Sequence, residues 1–217
     1  MVGRIQAEGR RAIAPTLPGC AERAPELSPK IGLETFVRDL SELIEAEDLH
    51  DLILVGHSAA GAVVPGVAAR NASRIRHLVC LDSHMPQDGE SLFDVMDPAA
   101  ADSRRAAAQA HDGGLSVPPP EPSALGVDDP TDAAWLTRMM TPHPTRAFSD
   151  PVHLGGEIPA SMRKTYIRVT APLYLPAERS VARVKAMPDW NYLEIATGHD
   201  AMVSAPDELA QMLLGLD

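Results

Sequence analysis

The stretch DLILVGHSAAGAVV, residues 51–64, decides the fold of this chain of 217 residues. Aliphatic residues run up to Val55, a Gly-His-Ser turn follows, and small residues then open a helical pattern. This order predicts a strand, a tight turn and a helix, which together lift the Ser58 hydroxyl clear of the backbone at a helix N-terminus. Ser58 is therefore either a nucleophile or an ordinary serine in a turn, and the rest of the sequence has to decide between them.

Five short aliphatic or β-branched runs between turn residues predict buried parallel strands. They are Arg11–Pro15, Leu52–Val55, His77–Leu81, Thr165–Thr170 and Asn191–Ala196. Helical patterns occupy residues 33–47 and 59–70, and a last helix follows Ser204, which we expect to form a capping box with Asp207. Strands that alternate with helices predict an α/β fold, with a mostly parallel sheet flanked by helices.

The middle of the chain lacks strand signals. From Met85 to Ser161, Pro, Asp, Gly and Ala predominate around two helical patterns at residues 101–110 and 132–140. An insertion between two strands of one sheet favours a cap over a site rather than a second domain. We therefore expect a core made of residues 1–84 and 162–217, with residues 85–161 inserted as a helical cap.

Composition and charge favour a soluble enzyme. The chain is 45% apolar, which is enough for one large domain with its own core. Thirty acidic residues against 19 basic ones give a formal charge of -11, which disfavours nucleic acid and anionic membranes as partners. No run approaches the roughly 20 apolar residues of a membrane span, and the N-terminus has no apolar signal segment, so we expect a cytoplasmic protein.

The sequence gives little support to metal or cofactor chemistry. Cys20 and Cys80 are far apart and show no CxxC spacing, so neither a disulfide framework nor a zinc site is indicated. The eight histidines include no HExxH motif. We expect neither a cofactor nor a bound metal.

The far end of the chain supplies the residue that a nucleophilic Ser58 would need. A general base belongs in the loop after the last strand, and His199 lies there, although it could instead only fill that loop. Ala60 stands where the usual G-x-S-x-G motif has its second glycine, a position that calls for a small residue. His57, next to Ser58, is expected to pack beside the site rather than act as the base.

Four segments together resemble the α/β-hydrolase superfamily. They are LILVGHSAAGAVVPGVAAR (52–70), LVCLDSHMPQDGESL (78–92), LTRMMTPHPTRAFSDPVHL (136–154) and GHDAMVSAPDEL (198–209). More narrowly, they resemble the bacterial esterase branch related to plant methylesterases and hydroxynitrile lyases. The lyases usually place a lysine directly after the catalytic histidine, and Asp200 stands there in this chain, so the resemblance favours ester hydrolysis over cyanohydrin cleavage.

The resemblance leaves the catalytic acid open. In this branch the acid follows the strand that here ends in YIRVT, but residues 171–174 contain no carboxylate, and Glu178 comes late. Asp82, at the end of HLVCLD, is the best substitute and keeps the order Ser, Asp, His. The alternative is that Asp82 only hydrogen-bonds to the amides of a turn.

A strand and a His-Gly loop that normally precede the RAIAP strand of this family, and that carry a second oxyanion donor, are not found in the sequence. We therefore expect an N-terminally shortened form; the alternatives are direct pairing of residues 11–15 with residues 52–55, or a strand supplied by another chain. The amide of Ala59 is then the expected oxyanion donor. An uncovered sheet edge would also favour a homodimer.

These assignments give Ser58 the attack on an ester carbonyl, His199 the proton transfers and Asp82 the orientation of the imidazole. The residues expected to line the substrate pocket are His57, Met85, Phe93, Met96, Trp135, Leu136, Met139 and Met140, and those from Phe93 onward could instead form the cap's own core. The predicted function is hydrolysis of a small or medium carboxylic ester with an apolar part. The alternative is a non-catalytic homologue that binds a ligand or a partner, and a hydroxynitrile lyase is less favoured.

Overall fold

Four parallel strands form the central sheet of the structure, a computed structural model that describes residues 1–216. In spatial order they are β1 (Leu52–His57), β2 (Ile75–Leu81), β5 (Arg163–Val169) and β6 (Asn191–Ile195). Two shorter strands, β3 (Ser116–Val117) and β4 (His143–Pro144), pair antiparallel in a separate sheet. The predicted α/β fold with a parallel sheet is confirmed.

Helices cover both faces of the sheet. They are α1 (Val2–Ala7), α2 (Leu33–Ala46), α3 (Val64–Arg70), α4 (Leu92–Val95), α5 (Pro98–Asp112), α6 (Pro130–Met139), α7 (Arg146–Ser149), α8 (Glu178–Lys185), α9 (Ala201–Ser204) and α10 (Pro206–Leu214). Four 3-10 segments are Ala21–Glu26, Ser58–Ala62, Pro122–Leu125 and Leu175–Ala177. Alternate residues of β2 point to opposite faces, so that Leu78 packs in one apolar cluster with α2 and α3, and Val79 packs in the other with α10.

Four of the five predicted strands are confirmed, and the strand predicted at Arg11–Pro15 is wrong. These residues are largely exposed and, within residues 1–216, have no strand beside them to take up their N–H and C=O groups. β1 is also less buried than predicted, because it pairs only with β2 in the described structure and Val55 is 39% exposed. Direct pairing between residues 11–15 and β1 is therefore excluded.

The predicted helices are present; α2 begins at Leu33 as predicted, and the others begin at different residues. The pattern at residues 59–70 begins as a 3-10 turn and becomes α3 only at Val64. The capping box predicted at Ser204 is wrong, because α10 is preceded by Ala205 and the Ser204 hydroxyl lies 2.6 Å from the Thr197 hydroxyl. No helix within the described residues has both the length and the apolar character to cross a bilayer.

Residues 85–161 lie between β2 and β5 in the chain and contain α4 to α7 together with β3 and β4. The two helices predicted there lie within α5 and α6. Both begin earlier than predicted, because Asp97 and Asp129 accept hydrogen bonds from the first turns and proline occupies the first helical position. The division into a core and a cap remains a prediction.

The turn after β1 depends on a close approach of two backbones. Ser58 has a φ of +53°, in the left-handed region. A Cβ at Gly61 would lie 1.9 Å from the carbonyl oxygen of His84, which follows β2. The sequence motif placed the need for a small residue at Ala60, but the residue with no room for a side chain is Gly61.

We expect Gly61→Ala to lower the free energy of unfolding by about 3 kcal/mol or more, because the new methyl would overlap the backbone after β2. Chemical denaturation of the purified variant measures this. Gly3→Ala is the matched control, since a Cβ at Gly3 in α1 meets no atom within 4 Å; that change should be neutral or slightly stabilising. Equal stability of the two variants would contradict the close approach.

Candidate active site

Three side chains meet at the carboxyl ends of three strands. Ser58 follows β1, Asp82 follows β2 and His199 lies in the loop after β6. The Nε2 atom of His199 lies 2.8 Å from Ser58 Oγ, and its Nδ1 atom lies 2.7 Å from Asp82 Oδ2. The carboxyl ends of parallel strands share one edge of the sheet, so residues far apart in the chain are brought together there. The structure thus joins these three residues in one hydrogen-bonded chain.

The two residues that are hydrogen-bonded to the His199 ring, Ser58 and Asp82, both have unusual backbone conformations. Asp82 has a φ of +40°, so it shares the left-handed region with Ser58. Such conformations cost about 1–3 kcal/mol each and persist only where the surroundings hold them. Asp82 is held by β5, because its N–H donates to the carbonyl oxygen of Ile167 at 2.7 Å, and its side chain is fully buried. The backbone at the ends of β1 and β2 therefore sets the directions of the Ser58 and Asp82 side chains.

Glu178, the later candidate for the acid, is engaged elsewhere. Its carboxylate forms an ion pair with the buried guanidinium of Arg168, and its side chain is 48% exposed. Asp82 is the carboxylate hydrogen-bonded to His199. The carboxylate at the end of β2 therefore occupies the position from which a histidine can be oriented.

Burial decides the charge states of the site. Desolvation lowers the pKa of His199, and the positive charge of Arg104 lowers it further. The imidazole is therefore neutral near pH 7, with Nε2 free to accept the Ser58 hydroxyl proton when Nδ1 carries its hydrogen toward Asp82. Desolvation also raises the pKa of Asp82, against the opposing charge of Arg168. A hydroxyl bonded to a neutral imidazole and a buried carboxylate is the set of groups that acyl transfer requires.

His57 and Ala59 lie on either side of Ser58 in the chain and both line the same cavity. The Nε2–H group of His57 donates to the carbonyl oxygen of His199 at 2.9 Å, so this imidazole helps to hold the loop after β6. Burial lowers the pKa of His57 to about 3, which keeps it neutral. Ala59 is the second residue of a 3-10 turn, where the first amides have no partner within the turn.

The loop that carries His199 packs against residues 125 and 126. A Cβ at Gly198 would lie 2.5 Å from the carbonyl oxygen of Gly126, so only glycine allows this approach. Two residues later, the N–H of Asp200 donates a hydrogen bond of 3.1 Å to the carbonyl oxygen of Leu125. Residues inserted between β2 and β5 therefore help to place the imidazole.

A cavity of about 210 Å³ opens above Ser58 and His199. The inserted segment contributes an apolar wall that includes Met96, Met140 and Phe148, together with the three prolines 118–120. Arg104 and Asp200 are the charged residues among those that line it. The cavity is thus largely apolar, with polar groups concentrated near the hydrogen-bonded chain.

Of the residues expected in the pocket, His57, Met96 and Met140 line this cavity, and Met85, Phe93, Trp135, Leu136 and Met139 do not. Met85 and Phe93 are buried in the apolar cluster that also contains Leu78 of β2. Trp135 and Met139 are 46% and 57% exposed, on the outer face of α6. The helix turns the adjacent face inward, where Leu136 is buried and Met140 reaches the cavity, and the sequence does not say which apolar stripe is the inner one.

Sequence reasoning missed several polar residues of the cavity, among them His84, Arg104 and Tyr174. His84 is buried, and its Nδ1 atom has no hydrogen-bond partner among the described residues. Tyr174 follows the strand after which the acid was sought, but a tyrosine there carries no signal of a site. Arg104 lies in an alanine-rich helical pattern that predicts only a solvated face. No local pattern distinguishes these residues.

One group in the described part of the chain offers donor atoms for a metal ion. His57, His199 and Asp200 bring ligand atoms within 4.8 Å of one another. Both ring nitrogens of His199 are already hydrogen-bonded to Ser58 and Asp82, so a metal bound there would compete with that chain. The arrangement of the site is explained without an ion.

Residues 2–212 match the alpha/beta hydrolase family. The chain belongs to this family. It is 34% identical over 220 residues to a carbendazim hydrolyzing esterase of Nocardioides sp. (strain SG-4G), an alignment that covers 98% of this chain and 90% of that protein. The predicted resemblance to the esterase branch of the alpha/beta hydrolases is confirmed.

The solved structures that are similar in fold to this alpha/beta hydrolase include two hydrolases. One is an extracellular alpha/beta-hydrolase from a Paenibacillus species, with 19% identity, a TM-score of 0.85 and coverage of 99% of this chain and 90% of that chain. The other is a methylesterase from Arabidopsis, with 20% identity, a TM-score of 0.70 and coverage of 98% of this chain and 89% of that chain. At these identities they support the fold alone.

We expect Asp82→Asn to lower kcat by roughly 10⁴-fold, because the imidazole would lose the acceptor that fixes its tautomer. Glu178→Gln removes the other candidate carboxylate and should keep most of the activity. Steady-state hydrolysis of a chromogenic ester measures both. If Glu178→Gln abolished turnover and Asp82→Asn were harmless, the acid would be misplaced.

Met139 and Met140 provide a matched pair at the cavity. We expect Met140→Ala to lower kcat/KM for an apolar ester about tenfold, because a side chain that covers substrate is removed. Met139→Ala should leave kcat/KM unchanged, since Met139 faces solvent. A loss with Met139→Ala alone would show that the other face of α6 meets the substrate.

Proposed function

We propose that the protein is a serine esterase that hydrolyses a small or medium carboxylic ester with an apolar part. The observation that carries this proposal is the hydrogen-bonded chain from Ser58 through His199 to Asp82 at the base of the cavity. The family and the esterase relative supply the reaction class. The identity of the nucleophile and of the substrate is our inference from the site.

The reaction follows from the roles that these positions allow. Ser58 Oγ attacks the ester carbonyl carbon while His199 Nε2 takes the hydroxyl proton, and the tetrahedral oxyanion accepts a hydrogen bond from the Ala59 amide. His199 then returns the proton to the alcohol as the carbon–oxygen bond breaks. Water, deprotonated by the same nitrogen, attacks the acyl-enzyme, and His199 returns that proton to Ser58 Oγ as the acyl carbon–oxygen bond breaks and the acid leaves. Asp82 stabilises the imidazolium that forms in both steps.

The cavity limits the size and polarity of the substrate. A volume of about 210 Å³ fits a small or medium ester, and Met96, Met140 and Phe148 provide apolar contact for its acyl or alcohol part. We infer that residues 85–161 act as a cap, because most of this wall comes from them. The name of the 34% identical relative makes carbendazim one of the compounds to test.

A fluorophosphonate probe tests the proposal directly, because it reacts with an activated serine regardless of the natural substrate. We expect labelling of the purified chain at Ser58, located by peptide mass mapping, and no labelling of Ser58→Ala. Labelling at another residue would overturn the assignment of the nucleophile.

A folded protein that is not labelled would support the alternative, a non-catalytic member of the family that binds a ligand or a partner. Release of cyanide from a cyanohydrin would instead support a lyase, which the carboxylate of Asp200 disfavours. A cytoplasmic location, a homodimer and the absence of nucleic acid and membrane partners remain predictions from the sequence.

A further inference from the structure

The ring of Tyr174 lies flat against the imidazole of His199. The two ring centroids are 3.6 Å apart and the ring planes differ by 17°. Tyr174 is 7% exposed, and its hydroxyl oxygen accepts a hydrogen bond of 2.8 Å from Nη2 of Arg104. One face of the imidazole is therefore covered by an aromatic ring whose hydroxyl group is hydrogen-bonded to a residue of α5.

In the segment between β5 and α8, the ring of Tyr174 is buried whereas the residues on either side of it are exposed. Leu173 and Leu175, on either side of Tyr174, are 50% and 66% exposed. The buried tyrosine makes two specific contacts, with the His199 ring and with Arg104, and these hold its ring in the inward orientation. Asp82, at the end of β2, supplies the carboxylate that contacts His199. The segment after β5 contributes the aromatic ring of Tyr174 to the same imidazole.

Arg104 links the inserted segment to that ring. It is half-buried, and among the described residues it forms no ion pair with a carboxylate, although the chain has 30 acidic residues. Its other described side-chain contact is with the Phe148 ring, whose centroid lies 6.0 Å away. The hydroxyl of Tyr174 is thus its polar partner at the cavity.

We propose that Tyr174 is a positioning residue for His199 and that Arg104 holds it in place from α5. The inserted segment then reaches the reacting imidazole through one side-chain hydrogen bond. This inference rests on the proposed function, in which His199 is the general base.

The physical basis is the geometry of the imidazole plane. The N–H bond and the nitrogen lone pair of an imidazole lie in the ring plane, so a rotation of the His199 ring would weaken its hydrogen bonds to Ser58 and to Asp82 together. A ring stacked on one face opposes this rotation and keeps water from that face. Small displacements of a reacting group can cost about a hundredfold in rate.

The charged and titratable groups around His199 come from several elements. They are His57 after β1, Asp82 and His84 after β2, Arg104 on α5, Tyr174 after β5 and Asp200 in the same loop. Burial is the main cause of the low pKa of His199, and Arg104 is the second. If the ring of Tyr174 is removed, water reaches the imidazole and its pKa rises, so the acid limb of activity moves to higher pH.

Three variants and one control test the proposal. Tyr174→Leu removes the ring, Tyr174→Phe keeps the ring without the hydroxyl, and Arg104→Met breaks the same hydrogen bond from the other side. The control is Arg105→Met, because Arg105 lies on the same helix but contacts Asp102 and the ring of Phe93 outside the cavity. Thermal unfolding checks that each variant folds.

We expect Tyr174→Leu to lower kcat roughly tenfold to a hundredfold and to move the acid limb of kcat/KM to higher pH. Tyr174→Phe should recover most of kcat. Arg104→Met should also move the acid limb upward, and the double variant Arg104→Met with Tyr174→Phe should lose no more than Arg104→Met alone, because both changes break one interaction. Arg105→Met should match the unmodified protein.

Two results would overturn the proposal. One is a Tyr174→Leu variant that is folded and changes only KM, which would make Tyr174 a substrate contact. The other is an unchanged pKa of His199 in that variant, measured by NMR titration with His199→Gln used to assign the signal. The NMR measurement needs no turnover, so a protein that fluorophosphonate does not label, but in which the pKa rises, retains the positioning by Tyr174 and loses the esterase function.

Discussion

The contact between the turn after β1 and the backbone after β2 is the constraint on which the site depends. Gly61 has no room for a side chain beside the carbonyl oxygen of His84, and the His84 N–H in turn donates to the carbonyl oxygen of Ser58 at 3.2 Å. The Ser83 hydroxyl adds a hydrogen bond of 2.7 Å to the carbonyl oxygen of Gly56. Together these contacts hold the ends of two adjacent strands in register, which places a hydroxyl and a carboxylate on either side of one imidazole.

Desolvation is the second organising effect. Burial lowers the pKa of His57 and of His84 to about 3 and that of His143 to about 4, so the imidazoles around the cavity are neutral at neutral pH. A buried ion must be paired or hydrogen-bonded to be tolerated, which Asp82 achieves through His199 and the amide of Val169. The site therefore combines neutral imidazole rings with a few charged side chains. The free energy that is required to bury these polar groups is offset by the apolar core on both faces of the sheet.

Much of the fold and part of the site could be predicted from the sequence. The strands at 52–55 and 77–81 are short aliphatic runs followed by turn residues, and the polar residue after each strand end falls at the edge where sites form. The elbow motif after the first of these strands led to Ser58, the resemblance to hydrolases with an acid after the second led to Asp82, and the loop after the last strand led to His199. Reasoning from such runs failed at Arg11–Pro15, because a strand exists only beside another strand, and no run of residues by itself says whether a neighbour is present.

The sequence by itself determined the order of the four strands of the main sheet, the elbow with its serine and the histidine after the last strand, because hydrophobic periodicity and turn residues are local properties of the chain. Only the tertiary structure decided which face of α6 turns inward, that Gly61 rather than Ala60 makes the tight contact, and that Arg104 meets the ring stacked on His199. The physical reason is distance along the chain. Arg104 and Tyr174 are 70 residues apart, and their hydrogen bond exists only after the sheet and the inserted helices have packed.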